Sequence, residues 1–201
     1  MTPAEFRDLV SSHTDAQLLD PCLRDEDTPF VFAAVESWNS FRDGLATRLG
    51  AARADIRVIG SGRFGFSLKP WKNLRLFEDT SDIDVVIVNA NLFDELWLAL
   101  LHAAYPRGVI AGKLGGWLRD RRNELYTGWL TPLAFALDVS IVGTKGQPVI
   151  DFSTRWFNAM KEAGRHPVRR HEEINSRLYR TWRHAELYHL DSLAELRKTL
   201  T

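Results

Sequence analysis

A single cysteine, Cys22, is all the thiol chemistry this chain holds. That excludes an intramolecular disulfide and a cysteine-built zinc cluster, and it fits a reducing cytoplasm. Net charge is missing too: 26 Lys and Arg balance 26 Asp and Glu. Any binding of nucleotide or nucleic acid must therefore come from a local basic surface rather than from the field of the whole molecule. No apolar run approaches the ~20 residues that span a bilayer, and Met1-Thr2-Pro3-Ala4-Glu5 lacks the basic and apolar regions of a secretory signal. The expectation is a cytoplasmic protein with no membrane insertion. Internal repeats, low-complexity tracts and heptads are also lacking, and the 6 histidines show no ligand spacing for zinc. What is present, 201 residues with 45% hydrophobic and 26% charged, suffices to bury a core as one domain, or one domain plus a small helical lobe.

Residues 1–29 read as a short helix to about Leu19, then an acidic, proline-bounded linker outside the core. From Phe30, the stripe Val31, Ala34, Val35, Trp38, Phe41, Leu45, Leu49 predicts an amphipathic helix ending at Gly50. Ile56 to Ile59 is a short strand, 60–68 a loop or single helical turn, 69–80 irregular, and 82–88 a second strand. Asn89 or Asn91 caps a helix carrying Leu92, Leu96, Ala99, Leu100 and Ala103. The state of 108–129 stays open. Residues 133–142 predict a third strand and Val149-Ile150 a short fourth. Ser153 or Thr154 then caps a helix to Gly164, and Pro167 starts a longer one with the stripe Ile174, Leu178, Trp182, Ala185, His189. A last helix follows Asp191. The helical reading puts Arg177, Arg180 and His184 on one face, near Lys161, Arg169 and Arg170, as a basic strip that could track phosphates or be neutralised by Glu172, Glu173 and Glu186. Tyr126, Trp129 and Tyr179 are candidate stacking platforms or simply core.

The chemistry concentrates at Ser81-Asp82-Ile83-Asp84, which opens the most apolar β-branched run of the chain. Side chains alternate along a strand, so Asp82 and Asp84 project to one side. Adjacent carboxylates are costly unless a cation joins them, and Mg²⁺ takes oxygen ligands, commonly one or two carboxylates plus substrate phosphates. Asp138, alone in its apolar strand, needs a partner. If its strand lies beside 82–88 it completes a three-carboxylate nest for two metal ions. Upstream, Gly60 lets the backbone approach an anion and Ser61 adds a hydroxyl and an N–H. Arg63 and Lys69 are candidates for triphosphate charge, or solvated surface residues. Gly60-Ser61-Gly62-Arg63-Phe64-Gly65 also satisfies the dinucleotide-binding pattern G-x-G-x-x-G. Against that reading, the acids precede the second strand, Pro70 and Asn73 break the stretch where a crossover helix belongs, and Asp138 is left unexplained.

A glycine-serine loop, an Asp-x-Asp strand and a single acid in a later strand resemble the DNA polymerase β-like nucleotidyltransferase superfamily, over about 56–142. The resemblance implies an α+β fold, a short mixed sheet flanked by helices, with 30–152 as catalytic core and 153–201 as a small C-terminal helical lobe. It implies that Asp82, Asp84 and Asp138 bind two Mg²⁺ ions, with Mn²⁺ an alternative, and that Asp138 activates the acceptor hydroxyl. Gly60 and Ser61, with Arg63 and Lys69, would hold the NTP or dNTP. The interval from Ser61 to Asp82 is longer than the family's usual spacing, so 66–79 reads as an insertion that shapes the acceptor site or decorates the edge. By chain length the sequence is similar to small stand-alone enzymes of bacterial antiphage operons, the Hailong-type enzymes among them, which make single-stranded DNA oligomers without a template. That implies an oligonucleotide signal and a neighbouring effector protein; the acceptor is a growing oligonucleotide, a small molecule or a protein hydroxyl, with Thr199 and Thr201 near the C-terminus as candidate primers. The alternatives are an antitoxin-type transferase acting on a partner toxin, and a non-catalytic nucleotide-binding regulatory subunit.

Overall fold

The computed structural model describes residues 1–78, 80–105, 122–132, 146–165 and 174–200. Its centre is β2 (Ile83–Val88), whose six residues are apolar except Asp84. A strand that reads apolar on both faces must be covered on both, and this one is. Ile83, Val85 and Ile87 join one cluster with α3 (Val35–Leu49), α5 (Ala90–Ala104) and α7 (Gln147–Ala163). Val86 and Val88 join a second with α1 (Pro3–Ser12), α2 (Asp15–Leu19) and α8 (Trp182–Leu200). The chain is α+β, a small mixed sheet of four strands flanked by helices.

The strand order is β1-β2-β4-β3, with β1 at Ile56–Ile59, β3 at Trp129–Leu130 and β4 at Ile174–Tyr179. β1 runs antiparallel to β2, β2 parallel to β4, and β4 antiparallel to β3. The antiparallel β1–β2 pair disposes of the dinucleotide-binding reading of the glycines, because that unit requires parallel strands. In the register, Asp84 lies between Ile59 of β1 and Asn175 of β4.

Several sequence expectations are corrected here. Residues 174–179 are a strand, not helix: Ile174 and Leu178 are four apart, an interval that fits a strand face as well as a helix face. The helix proper starts at Trp182 and runs unbroken through Asp191 to Leu200. Val149 and Ile150 lie inside α7, which starts at Gln147 with Pro148 in its first turn, so neither Ser153 nor Thr154 is its cap. Residues 153–201 are therefore not a helical lobe beside the sheet, for they supply most of α7, an inner strand and α8. The predicted helix from Phe30 begins only at Val35, although Val31 and Phe32 are buried ahead of it.

The segment expected to be an external linker is equally integral. Capping boxes at Thr2/Glu5 and Thr14/Gln17 start α1 and α2, and a π-helical turn, Asp20–Arg24, buries Cys22 and Leu23. Burial pushes the Cys22 thiol up to about 12, so it is an inert apolar filler. Glu26 bridges the guanidinium groups of Arg42 and Arg57, at 3.2 and 2.8 Å. At the far end Arg197 of α8 pairs with Asp15 at 2.8 Å and donates to the carbonyls of Val10 and His13. Phe6, Leu18 and Leu196 meet in the same core.

Candidate active site

Asp84 faces the α1, α2 and α8 side of the sheet, since Val86 and Val88 share its face. Asp82 precedes the strand. Glu78 and Ser81, bonded to each other twice, fix the chain just ahead of it: the Glu78 N–H donates to Ser81 Oγ at 3.0 Å and the Ser81 N–H to the Glu78 carbonyl at 2.8 Å. Both carboxylates line one cavity of about 1150 Å³.

β1 ends at the same cavity. Gly60 holds φ 60°, ψ −135°, a region essentially closed to residues with a Cβ, and this abrupt turn starts the short helix α4 (Ser61–Phe64). A Cβ at Gly60 would stand 3.6 Å from Asp84 Oδ2, so the carboxylate sits directly against this backbone. Ser61, first in α4, has an N–H the helix does not use and a side chain on the cavity. Gly65, at φ 81°, closes α4 with Phe30 packed where a Cβ would be.

The rest of the wall carries six cations against two further acids, Asp191 and Glu195. Residues 66–78, the expected insertion, fold back through a Phe66–Leu76 bridge, with the Ser67 N–H donating to the Arg75 carbonyl at 2.8 Å. Phe66 and Leu74 anchor the segment in the core, and Lys69, Lys72 and Arg75 line the cavity. Lys161 of α7, Arg165 just beyond the end of that helix and Arg177 of β4 add charge. A chain of zero net charge thus gathers cations at one place, as a polyanionic ligand requires. Burial, reinforced by the neighbouring Asp82, pushes the Asp84 carboxyl above its ordinary range, against the pull of Lys69, Arg177 and Lys72.

Two oxygen-donor side chains suit the coordination chemistry of a hard divalent cation, and the Asp84 side chain, half-buried and without a hydrogen bond among the described residues, could hold one. Among the described residues no three Asp, Glu, His or Cys side chains converge. Asp138, with the expected strand 133–142, lies outside the described residues, as do Arg169, Arg170, Glu172, Glu173 and Thr201.

Of the other predicted site residues, Gly60, Ser61 and Lys69 are brought to the cavity and Arg63 is not. The Arg63 side chain turns back into the protein, donating to the carbonyls of Pro21 and Asp25, with the Asp25 carboxylate at 3.7 Å. It braces α4 from behind. Thr199 is exposed in the last turn of α8, its hydroxyl donating to the Glu195 carbonyl at 3.3 Å, and it does not line the cavity. The basic strip dissolves with its helix: Arg180 pairs with Asp94 of α5 at 2.9 Å, while Arg177 faces α8. Tyr179 is fully buried and Trp129 packs on Tyr188, so neither is an open stacking platform, whereas Tyr126 is exposed. Sequence reading missed Arg177 and His189 as cavity residues; the apolar-polar alternation through Leu178 is the signal that a strand carries Arg177 inward, while His189 comes from α8.

Comparison with protein-family models, curated proteins and solved structures returns no match for this chain.

Proposed function

We propose that the chain is a divalent-metal-dependent nucleotidyltransferase, moving a nucleoside monophosphate from an NTP or dNTP to a hydroxyl. The observation that carries this reading is the meeting of Asp82 and Asp84 with the Gly60-Ser61 turn and Lys69 on one basic cavity. Asp82 and Asp84 would hold Mg²⁺, which when bound neutralises triphosphate charge and aligns the in-line displacement. The Gly60 turn removes side-chain bulk from the path of the phosphates, and the Ser61 N–H and hydroxyl donate to their oxygens. Lys69, Lys72 and Arg75 balance the charge that builds on departing pyrophosphate. The bond from the α-phosphorus to the β-phosphate oxygen breaks as that to the acceptor oxygen forms, and Asp138 is the proposed carboxylate for the acceptor proton. The sequence resemblance adds a finer proposal, template-independent synthesis of a deoxyoligonucleotide signal in antiphage defence.

The test is incubation with each labelled NTP and dNTP in Mg²⁺ or Mn²⁺, resolved on a denaturing nucleic-acid gel and on SDS-PAGE. A ladder is expected, absent with the Asp82→Asn/Asp84→Asn double variant. Label fixed to protein would redirect the acceptor to a polypeptide. Equal incorporation by the double variant overturns the assignment. Arg63→Gln separates bracing from binding: it should lower stability by about 1–3 kcal/mol, as loss of buried charged hydrogen bonds does, with the NTP KM within about twofold of wild type. A KM rise without loss of stability would return Arg63 to the nucleotide.

A further inference from the structure

Behind Asp84, on the same sheet face, lies a second polar cluster that the transfer chemistry does not use. Asn175, Arg177 and Tyr179 of β4 pair with Asp84, Val86 and Val88, so all three share the face of Asp84. The Arg177 guanidinium sits in the corner of two rings, 4.4 Å from the centroids of both Trp129 and Tyr188. Its near neighbours are the Tyr179 and Tyr188 hydroxyls, and among the described residues no carboxylate reaches it within ion-pair distance. Tyr179 is 0% exposed, yet its hydroxyl has no well-directed hydrogen bond, and neither has Nε2 of His189, whose ring is 6.1 Å from that of Tyr179. Burial, then the charge of Arg177, lowers His189 to about 4, so the imidazole is neutral at physiological pH. Arg177, Tyr179, Tyr188 and His189 all line the cavity. Buried polar atoms short of well-directed partners, beside a half-buried cation that no carboxylate among the described residues meets at ion-pair distance, describe a ligand site.

The chemistry of that ligand follows from the charge. A planar guanidinium held by aromatic rings, with a hydroxyl and an imidazole beside it, suits the oxygens of a phosphate. Which phosphate follows from the register. Asp84 has β1 on one side, leading to Gly60, Ser61 and the Lys69 wall, and β4 on the other. Attacking and leaving oxygens lie in line on opposite sides of the transferred phosphorus, so groups on the β4 side face the acceptor.

We infer that Arg177, Tyr179 and His189 form a phosphate subsite for the acceptor, so that the hydroxyl receiving the nucleotide belongs to a nucleotide or an oligonucleotide end carrying its own phosphate. The assignment of this phosphate to an acceptor rests on the nucleotidyltransferase reading. A cavity of about 1150 Å³ exceeds the usual range for one small ligand, about 300–1,000 Å³, and leaves room for both substrates.

The test is equilibrium binding, which needs no turnover. Each ribonucleoside and deoxyribonucleoside 5′-monophosphate is titrated calorimetrically beside its own nucleoside, in EDTA at low salt. The wild type is expected to bind at least one monophosphate about tenfold or more tighter than its nucleoside, in keeping with a charged hydrogen-bonded contact. Arg177→Gln should erase that preference and Tyr179→Phe should reduce it. Because the only group that approaches the Tyr179 hydroxyl among the described residues is the Arg177 guanidinium, without a well-directed hydrogen bond, the second variant keeps the ring packing should the first fail to fold. The Asp82→Asn/Asp84→Asn double variant should keep the preference. No preference in the wild type overturns the subsite. So does an Arg177→Gln protein that keeps the preference while losing NTP affinity, since the phosphate would then be the incoming triphosphate's. A chain that shows the preference but transfers nothing keeps the phosphate subsite and loses the transferase; one that transfers without the preference does the reverse.

Discussion

Asp84→Asn is expected to lower the proposed nucleotidyl transfer by about 10³-fold or more, as loss of a metal-holding carboxylate would, and to raise the thermal midpoint of the metal-free protein. The two effects have one cause. The Asp84 carboxyl is pushed above its ordinary value of 3.8 by burial, with Asp82 adding repulsion. A raised carboxyl favours the protonated native state, so wherever the group is ionised in both native and unfolded chains its charge destabilises the fold. That penalty is complete above the folded pKa, shrinks as pH falls through it, and is gone below the unfolded value of about 3.9. The midpoint advantage of Asp84→Asn in EDTA should therefore be largest at pH 7 and should close toward pH 4. Mg²⁺ should raise the midpoint of the wild type through preferential binding to the native state and leave the variant where it was. A variant less stable than wild type in EDTA at pH 7 would mean that Asp84 is satisfied within the protein, and the metal assignment would lose its physical basis.

Trp156→Ala is expected to cost about 3–5 kcal/mol, the range for truncating a large buried aromatic. Trp156 is 0% exposed, stacks on Phe152 with centroids 6.0 Å apart, and donates from Nε1 to Ser176 Oγ at 2.8 Å. It fastens α7 to β4, the strand that carries Asn175 and Arg177 on its opposite face. Against the 5–15 kcal/mol that stabilises an ordinary domain the loss is severe, and urea unfolding will read it as a lower midpoint. Trp156→Phe keeps a ring and loses the hydrogen bond, so it should fall between. A cost below about 1 kcal/mol for the alanine variant would contradict the described packing of α7 on the sheet.

How much of this was legible in the sequence depends on how local each signal was. β1 and β2 were readable because their apolar β-branched runs are bounded by turn residues, and Gly60 because a sharp turn after a strand has few other solutions. The caps at Thr2 and Thr14 obey a three-residue spacing, yet the sequence reading ran one helix to Leu19 where the structure has two, broken at His13 and Thr14. β4 was not readable as a strand, since Ile174 and Leu178 satisfy both periods and the helix that follows extends the same stripe. That one misreading hid the cluster around Arg177, placing on a helix surface a side chain that the strand turns inward. Arg63 shows the other limit. Its neighbours in sequence belong to the Gly60-Ser61 turn, whereas its partners, Pro21 and Asp25, lie far away along the chain, and only the fold brings them together. The N-terminal segment looked external because its acidic residues were visible and its partners, Arg42, Arg57 and Arg63, were not yet known to be near.

The segment between β1 and β2 divides its labour by residue. Phe66 and Leu74 are sunk in the core, while Leu68, Lys69, Pro70, Trp71 and Lys72 between them face the cavity. Its two buried ends hold the segment in place, so the stretch in between behaves as an exchangeable cassette. Substitutions there reshape and recharge one wall of the cavity without disturbing the sheet, and a lineage could change what this cavity accepts by editing a few adjacent codons.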